Sequence, residues 1–403
     1  MKKKLFYFSV LILVGLLLSG FTGCPFCLPE GEGEGEGEDE IFVPELTSEI
    51  VDEVYHKNLY RLWSDTSIAV DSQGQVHLLY KAENDKLGYA IKIGGKWRFT
   101  RDWDTRYYIY GGDNSIAIDQ NDQVHIASSA NDGGAEDLIY VTGRLNHWRV
   151  TEVDRPLSVG MGNDIVVDQN DRVHISYGSW HDNHIRYATN TSGDWEILIL
   201  DYYDYVSPWS SRILLDSNES IHVVYSTFYQ DEEIRHITNH SGDWEMESII
   251  PTRARGRVAA AVLDQNDNIY VATRYGISFK EEGIWQLENI FEQILPDADI
   301  DEIRLGDDAL AIDSNGWLHL CFHIWPEPYW NCDPREMAIW YASNLSGDWK
   351  AILVDSWEVD NRQHFTPGLT VDQQGNVHIV YVNTSDFKVR HVTFNPMPPG
   401  IAE

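Results

Sequence analysis

The sequence predicts an all-β fold, a seven-bladed β-propeller of four-stranded antiparallel blades whose last blade is completed by the N-terminal strand. Three observations carry this prediction. One strand–turn–strand phrase recurs seven times, each repeat has room for four short strands, and the fourth-strand signal missing from the last repeat reappears ahead of the first.

In chain order, residues 1–23 read as an export signal: MKKK is a basic start and LFYFSVLILVGLLL an apolar stretch of signal-peptide length. SGFTGC then resembles the lipobox of bacterial lipoproteins, with Phe21 where leucine is usual, and this resemblance implies lipidation of Cys24. Cleavage with release and an uncleaved anchor are the alternatives. Residues 24–41 contain GEGEGEGEDE, a flexible tether with nothing to bury. Residues 42–403 form the propeller, so the order suits an exported protein held at a bacterial cell envelope.

The repeats begin at SIAVDSQGQVHLLY and end at LTVDQQGNVHIVY. Their aspartates, Asp71, Asp119, Asp168, Asp216, Asp264, Asp313 and Asp372, are spaced by 48, 49, 48, 48, 49 and 59 residues. The third repeat, DIVVDQNDRVHISYGSWHDNHIRYATNTSGDWEILIL, shows four apolar stretches, with DQND turning the first pair and NTSGD the last. Fourth strands open with Trp97, Trp148, Trp195, Trp244, Trp285 and Trp349. The seventh repeat ends in NPMPPGIAE without one, whereas ELTSEIVDEVY precedes the first repeat as DWEILILDYY precedes the fourth. Pairing that segment with the last blade closes the ring and leaves no free edge.

These copies resemble the repeats of exported bacterial propellers in the broad sialidase-like, BNR-repeat group; TSGDW, HSGDW and LSGDW approximate its Asp-box pattern. The stretch HISYGSWHDNHIRYA also resembles part of the seven-bladed ulvan-lyase-like group. The three arginines that the first resemblance would imply for a sialidase find no assignment here.

His77, His125, His174, His222, His319 and His378 each follow their aspartate by six residues, with Tyr270 in the remaining copy. A side chain repeated once per blade stands around a wide ring, so these histidines read as scaffold that pins the first hairpin. The Asp and Asn of the turns fit Asx-turn chemistry, with calcium as the weaker reading, and the repeated Trp reads as blade-to-blade packing. No metal site or cofactor is expected. Cys321 and Cys332 flank a long insertion and are expected to form a disulfide outside the cytoplasm.

Turns after strands one and three share one face, which the repeated residues occupy. Loops after strands two and four share the other, where the copies differ and function is expected. There the sequence offers Tyr108, Trp180, His181, His184, Trp209, Arg212, Arg253, Arg255, Arg257, Trp325 and His364 as ligand-binding candidates. Aromatic platforms beside Arg, Asp and His suit sugar rings and acidic substituents, or a protein surface. A formal charge of −34 argues against nucleic acid, and a monomer is expected. The reading is a membrane-anchored exported propeller that binds a glycan or protein ligand through its variable face. The alternative is a polysaccharide lyase or glycosidase acting on an acidic glycan there.

Overall fold

The computed structural model describes residues 44–397 apart from segments 54–62, 83–85, 104–107, 132–135, 156–157, 203–205, 228–232, 251–259, 325–334 and 360–363 and positions 102, 146 and 180. The expected signal, Cys24 and the tether lie outside the described residues. Among the described residues no helix is long and apolar enough to cross a membrane.

Seven antiparallel blades follow the repeats. Blade one pairs Ser67–Val70, Val76–Lys81, Leu87–Ile93 and Lys96–Thr100 in sequence order, from the innermost strand outward. Blade seven orders Gly368–Val371, Val377–Asn383 and Lys388–Phe394, and its fourth strand is Thr47–Glu53 from the other end of the chain. The expected closure is therefore present. A short parallel pair, Trp63–Asp65 beside His364–Thr366, adds a second tie between blades one and seven.

Burial follows the position of a strand in its blade. Second strands such as Val76–Lys81 and Ile221–Thr227 are buried throughout, because both faces meet a neighbouring blade. Fourth strands such as Glu196–Tyr202 lie at the rim and leave Leu198 and Ile199 exposed. Alternate residues face opposite blades: Leu78 and Tyr80 pack toward blade seven, while Leu79 packs with Ile116 and Ile126 of blade two.

The repeated Asp, His and Trp belong to one network per blade. In blade two, Asp119 Oδ1 accepts from the Asn121 and Gln123 amides at 2.8 Å, which shapes the turn. Its Oδ2 lies 3.1 Å from His125 Nε2, and His125 Nδ1 lies 2.6 Å from the Tyr140 hydroxyl on the third strand. Trp195 of blade three then meets Tyr140 edge-on at 5.3 Å. Trp148 meets Tyr89, and Trp244 meets Tyr187, in the same way. In blades two and five the residue at positive φ in this turn also ties blades together. Asp122 accepts from the Ser72 amide and hydroxyl of blade one, and Asp267 does the same to Ser217 of blade four. Those contacts explain why Asp stands there in several turns where glycine would carry less strain.

A second set of ties was not foreseen. The tyrosine three residues after the histidine donates to an aspartate on the preceding blade's fourth strand: Tyr80 to Asp52, Tyr177 to Asp154, Tyr225 to Asp201 and Tyr381 to Asp355. Arg101, Arg186 and Arg235 neutralise the first three of these carboxylates. Burial and the adjoining carboxylate push all four tyrosine hydroxyls far above their ordinary pKa.

Cys321 lies on the buried strand Leu318–Ile324 with a free thiol; its expected disulfide partner, Cys332, lies outside the described residues. Burial raises the pKa of the Cys321 thiol, as suits an inert core residue.

Candidate functional site

Inner strands enter from the loop-bearing face, and several of them break register just before they straighten along the axis. In blade two the break falls between Ile109 and Asn114, in blade three between Met161 and Asp164, and in blade four between Val206 and Ser211. Blade six carries the largest break. Ile303–Arg304 and Leu310–Ile312 both pair with Leu318–Ile324, and residues 305–308 between them leave the ladder, which resumes where the Ala309 carbonyl accepts from the Cys321 amide at 2.8 Å. Bulges turn side chains off the regular alternation, and they gather at functional sites for that reason.

Here they bring charges from separate blades together. The Arg212 guanidinium pairs with the Asp307 carboxylate of blade six. Asp164 and Asp308 are the other charged neighbours that hold its positive form in place. Asp164 Oδ1 accepts from the Ser115 hydroxyl at 2.6 Å, and its Oδ2 accepts from the Ile213 amide at 2.9 Å, so it joins blades two, three and four. Asp308 Oδ2 accepts from the Ile68 amide of blade one at 3.1 Å, and its carbonyl accepts from the Leu369 amide of blade seven at 2.7 Å. Gly368 makes that reach possible: a Cβ there would stand 2.6 Å from the Thr66 carbonyl oxygen and 3.5 Å from Asp308 Cβ.

Arg212 is buried, and Asp164, Asp307 and Asp308 are half-buried. Desolvation and then the nearby Asp164 push the Asp308 carboxyl up to about 7, against the opposing pull of Ser67 and Arg212. Desolvation raises Asp164 as well. Three carboxyl groups thus share one arginine, and one of them keeps its proton close to neutral pH.

This arrangement fixes a pH dependence. A folded Asp308 binds its proton more tightly than the unfolded chain, so its contribution to stability is complete below about 4 and is lost as pH rises to about 7. The box histidines act oppositely. Desolvation lowers His77, His125, His174, His222 and His378, so the unfolded chain takes up their protons first and stability falls as pH drops below about 6.5. Urea unfolding of the wild type should therefore show maximal stability near neutrality. The difference between Asp308→Asn and wild type should rise in the variant's favour by up to about 1.4 kcal/mol per pH unit between about 4 and 7. A difference that is flat with pH would contradict the assignment.

The sequence candidates are distributed as follows. Arg212, a ligand-binding candidate, is at the site as a buried group paired with Asp307. His184 is half-buried, with Nδ1 2.9 Å from Asp182, and its ring meets Tyr202 at 5.4 Å. Asp182 also pairs with Arg186, which ties His184 to the Tyr177–Asp154 contact of blade three and not to the axial cluster. His181 is exposed on the turn before that strand, and Tyr108 is half-buried opposite Asn131. His364 lies on a strand opposite Trp63, and Trp209 lies on the inner strand of blade four. Trp180, Arg253, Arg255, Arg257 and Trp325 lie outside the described residues.

Sequence reasoning missed Asp164, Asp307 and Asp308. A signal for the first was present. Four residues before each repeat aspartate stand Ser67, Ser115, Asp164, Arg212, Ala260, Ala309 and Gly368, small or hydroxylic except for one acid and one base.

No protein-family profile matches the sequence, and no curated protein matches it. Among solved structures, the chain is similar to an α-L-arabinofuranosidase from Fusarium graminearum in complex with an iminosugar inhibitor. The identity is 11%, the TM-score 0.48, and the match covers 86% of this chain and 97% of that one. An ulvan lyase described as a new family of polysaccharide lyase, bound to -[GlcA(1-4)Rha3S]-, aligns at 9% identity and TM-score 0.49 over 82% of this chain and 94% of its own. An α-L-arabinanase from Penicillium chrysogenum complexed with arabinobiose aligns at 10% identity and TM-score 0.47, covering 87% and 98%. At such values these likenesses carry no residue role over to this chain.

Proposed function

We propose that the protein is a glycan hydrolase working on its loop-bearing face, with Asp308 as proton donor to the glycosidic oxygen and Asp307 as the partner carboxylate. Hydrolysis of a glycosidic bond uses one carboxyl that keeps its proton and a second that does not. The observation that carries the reading is the half-buried Asp308, whose pKa is pushed up to about 7 beside the Arg212–Asp307 ion pair.

A lyase would use an arginine to bind the substrate's acidic group, and Arg212 is already neutralised by Asp307. A formal charge of −34 and an acidic axial cluster repel polyanions, which favours an uncharged glycan over the acidic one expected from the loops. Aromatic residues of the surrounding loops would then hold sugar rings by stacking. Export and lipidation at Cys24 would place this activity at the cell envelope, where extracellular polysaccharides are met.

The test is incubation of the full chain with a panel of neutral and anionic polysaccharides, reading new reducing ends and ultraviolet-absorbing unsaturated ends. New reducing ends from neutral substrates without unsaturation are expected. Unsaturated products, or binding with no cleavage, would overturn the hydrolase reading in favour of a lyase or a binding module respectively.

A further inference from the structure

On the opposite face, blade four departs from the other repeats in one respect. Its turn between strands three and four carries His240, and His240 Nδ1 lies 3.1 Å from Asp216 Oδ2. The same oxygen lies 3.4 Å from His222 Nε2. One carboxylate oxygen and two imidazole nitrogens thus stand within 4.8 Å of one another. We propose that Asp216, His222 and His240 form a binding site for a divalent transition-metal ion of the zinc class.

The geometry suits such an ion. In a tetrahedral zinc site with bonds of about 2.0–2.1 Å, neighbouring ligand atoms stand about 3.3 Å apart. The two separations to Asp216 Oδ2 already match that spacing. The His222–His240 separation is the one that has to close; the His240 side chain is 61% exposed at a turn, with Nδ1 3.1 Å from Asp216 Oδ2 and 3.4 Å from Ser220 Oγ. Two imidazoles and a carboxylate make a donor set that zinc and its neighbours favour over calcium or magnesium. The fourth coordination position would hold water.

The groups behind the ligands are arranged to orient them. Asp216 Oδ1 accepts from the Asn218 and Ser220 amides at 2.9 and 2.7 Å, which fixes the carboxylate and leaves Oδ2 to the ion. His222 Nδ1 lies 3.0 Å from His236 Nε2, and His236 Nδ1 lies 3.0 Å from Glu247 Oε1. With His222 Nε2 given to a metal, its Nδ1–H donates to His236, whose own Nδ1–H donates to Glu247. Every proton in that chain then has an acceptor. If His222 instead donates from Nε2 to Asp216, then His236 must donate from Nε2, and it needs a second proton to satisfy Glu247. A carboxylate behind a histidine is the usual support of a metal-binding imidazole.

Blade seven serves as an internal control. Asp372, His378, His391 and Glu49 repeat the same relay at 3.2, 3.0 and 2.8 Å. By strand register the position of His240 is held there by Asn395, whose side chain accepts from the Met397 amide. In the other blades the same position is Ile93, Arg144, Thr191, Glu281 or Leu345, and Glu281 belongs to the copy that has Tyr270 for histidine. Blade four alone sets two imidazoles on the box carboxylate.

The experiment is calorimetric titration of the untagged full chain with zinc chloride, repeated with His240→Asn and Glu247→Gln. Neither residue is in the core, so both variants should fold. The expected results are one zinc per wild-type chain, an affinity loss of at least tenfold in His240→Asn, and a smaller loss in Glu247→Gln. The melting temperature of the wild type, and not of His240→Asn, should rise with zinc. Absence of a one-to-one site in the wild type would overturn the proposal. So would zinc binding to His240→Asn with unchanged affinity.

Discussion

Replacing Arg212 with methionine should lower stability at pH 8 by about 3–5 kcal/mol, the usual effect of removing one partner from a buried ion pair. The methionine keeps most of the aliphatic volume, so the loss reports charge and not a cavity. Asp164, Asp307 and Asp308 are left with no cation among them, and Asp307 loses its direct partner. The loss should shrink on acidification, because Asp308 and Asp164 both have raised pKa values and take up protons readily. Adding Asp307→Asn should recover part of the stability, since it removes the orphaned charge. Urea unfolding at two pH values measures all three effects. A loss below about 1 kcal/mol would mean that water reaches and screens the cluster.

Replacing Asp308 with asparagine should abolish glycan cleavage while leaving the propeller folded. Asparagine keeps a carbonyl oxygen for the Ile68 amide, which Asp308 Oδ2 now accepts at 3.1 Å, but it holds no transferable proton. Loss of a general acid costs about a hundred- to ten-thousand-fold in rate. Initial rates of reducing-end release, with the melting temperature measured on the same samples, check this. Equal rates for variant and wild type would remove Asp308 from the chemistry.

The two variants separate roles that adjoin in space. Arg212 acts on charge balance and therefore on folding, whereas Asp308 acts on the proton. Their contrast also bears on what the sequence made legible. Strand positions, blade number, ring closure and the scaffold role of the Asp–His–Trp set all follow from periodicity, because each copy has to solve the same packing problem. His125 is bonded to Asp119 for the same reason that His378 is bonded to Asp372.

The axial cluster answers to no period. Asp307 and Asp308 sit where the inner strand of blade six leaves its ladder, and a repeat pattern does not foretell a bulge. Arg212 read as a ligand-binding residue of the variable face because it follows a loop rich in aromatics, and only its register against Val224 places it on the inner strand, past the break. The Tyr–Asp ties between blades were within reach of the sequence. Tyr177 follows His174 by three residues as Tyr225 follows His222, and each partner, Asp154 or Asp201, is the last or next-to-last residue of the preceding fourth strand. That signal spans two repeats, so reading one repeat at a time conceals it.

Asp308 is assigned a proton near neutral pH beside the Arg212–Asp307 pair. Carbon-13 NMR titration of the side-chain carboxyls, in the full chain labelled at aspartate, tests it most directly, with Asp308→Asn supplying the assignment. One carboxyl resonance is expected to titrate near pH 7 in the wild type and to be missing from the variant. If the resonance lost in Asp308→Asn titrates in the ordinary aspartate range, near 4, the account is contradicted.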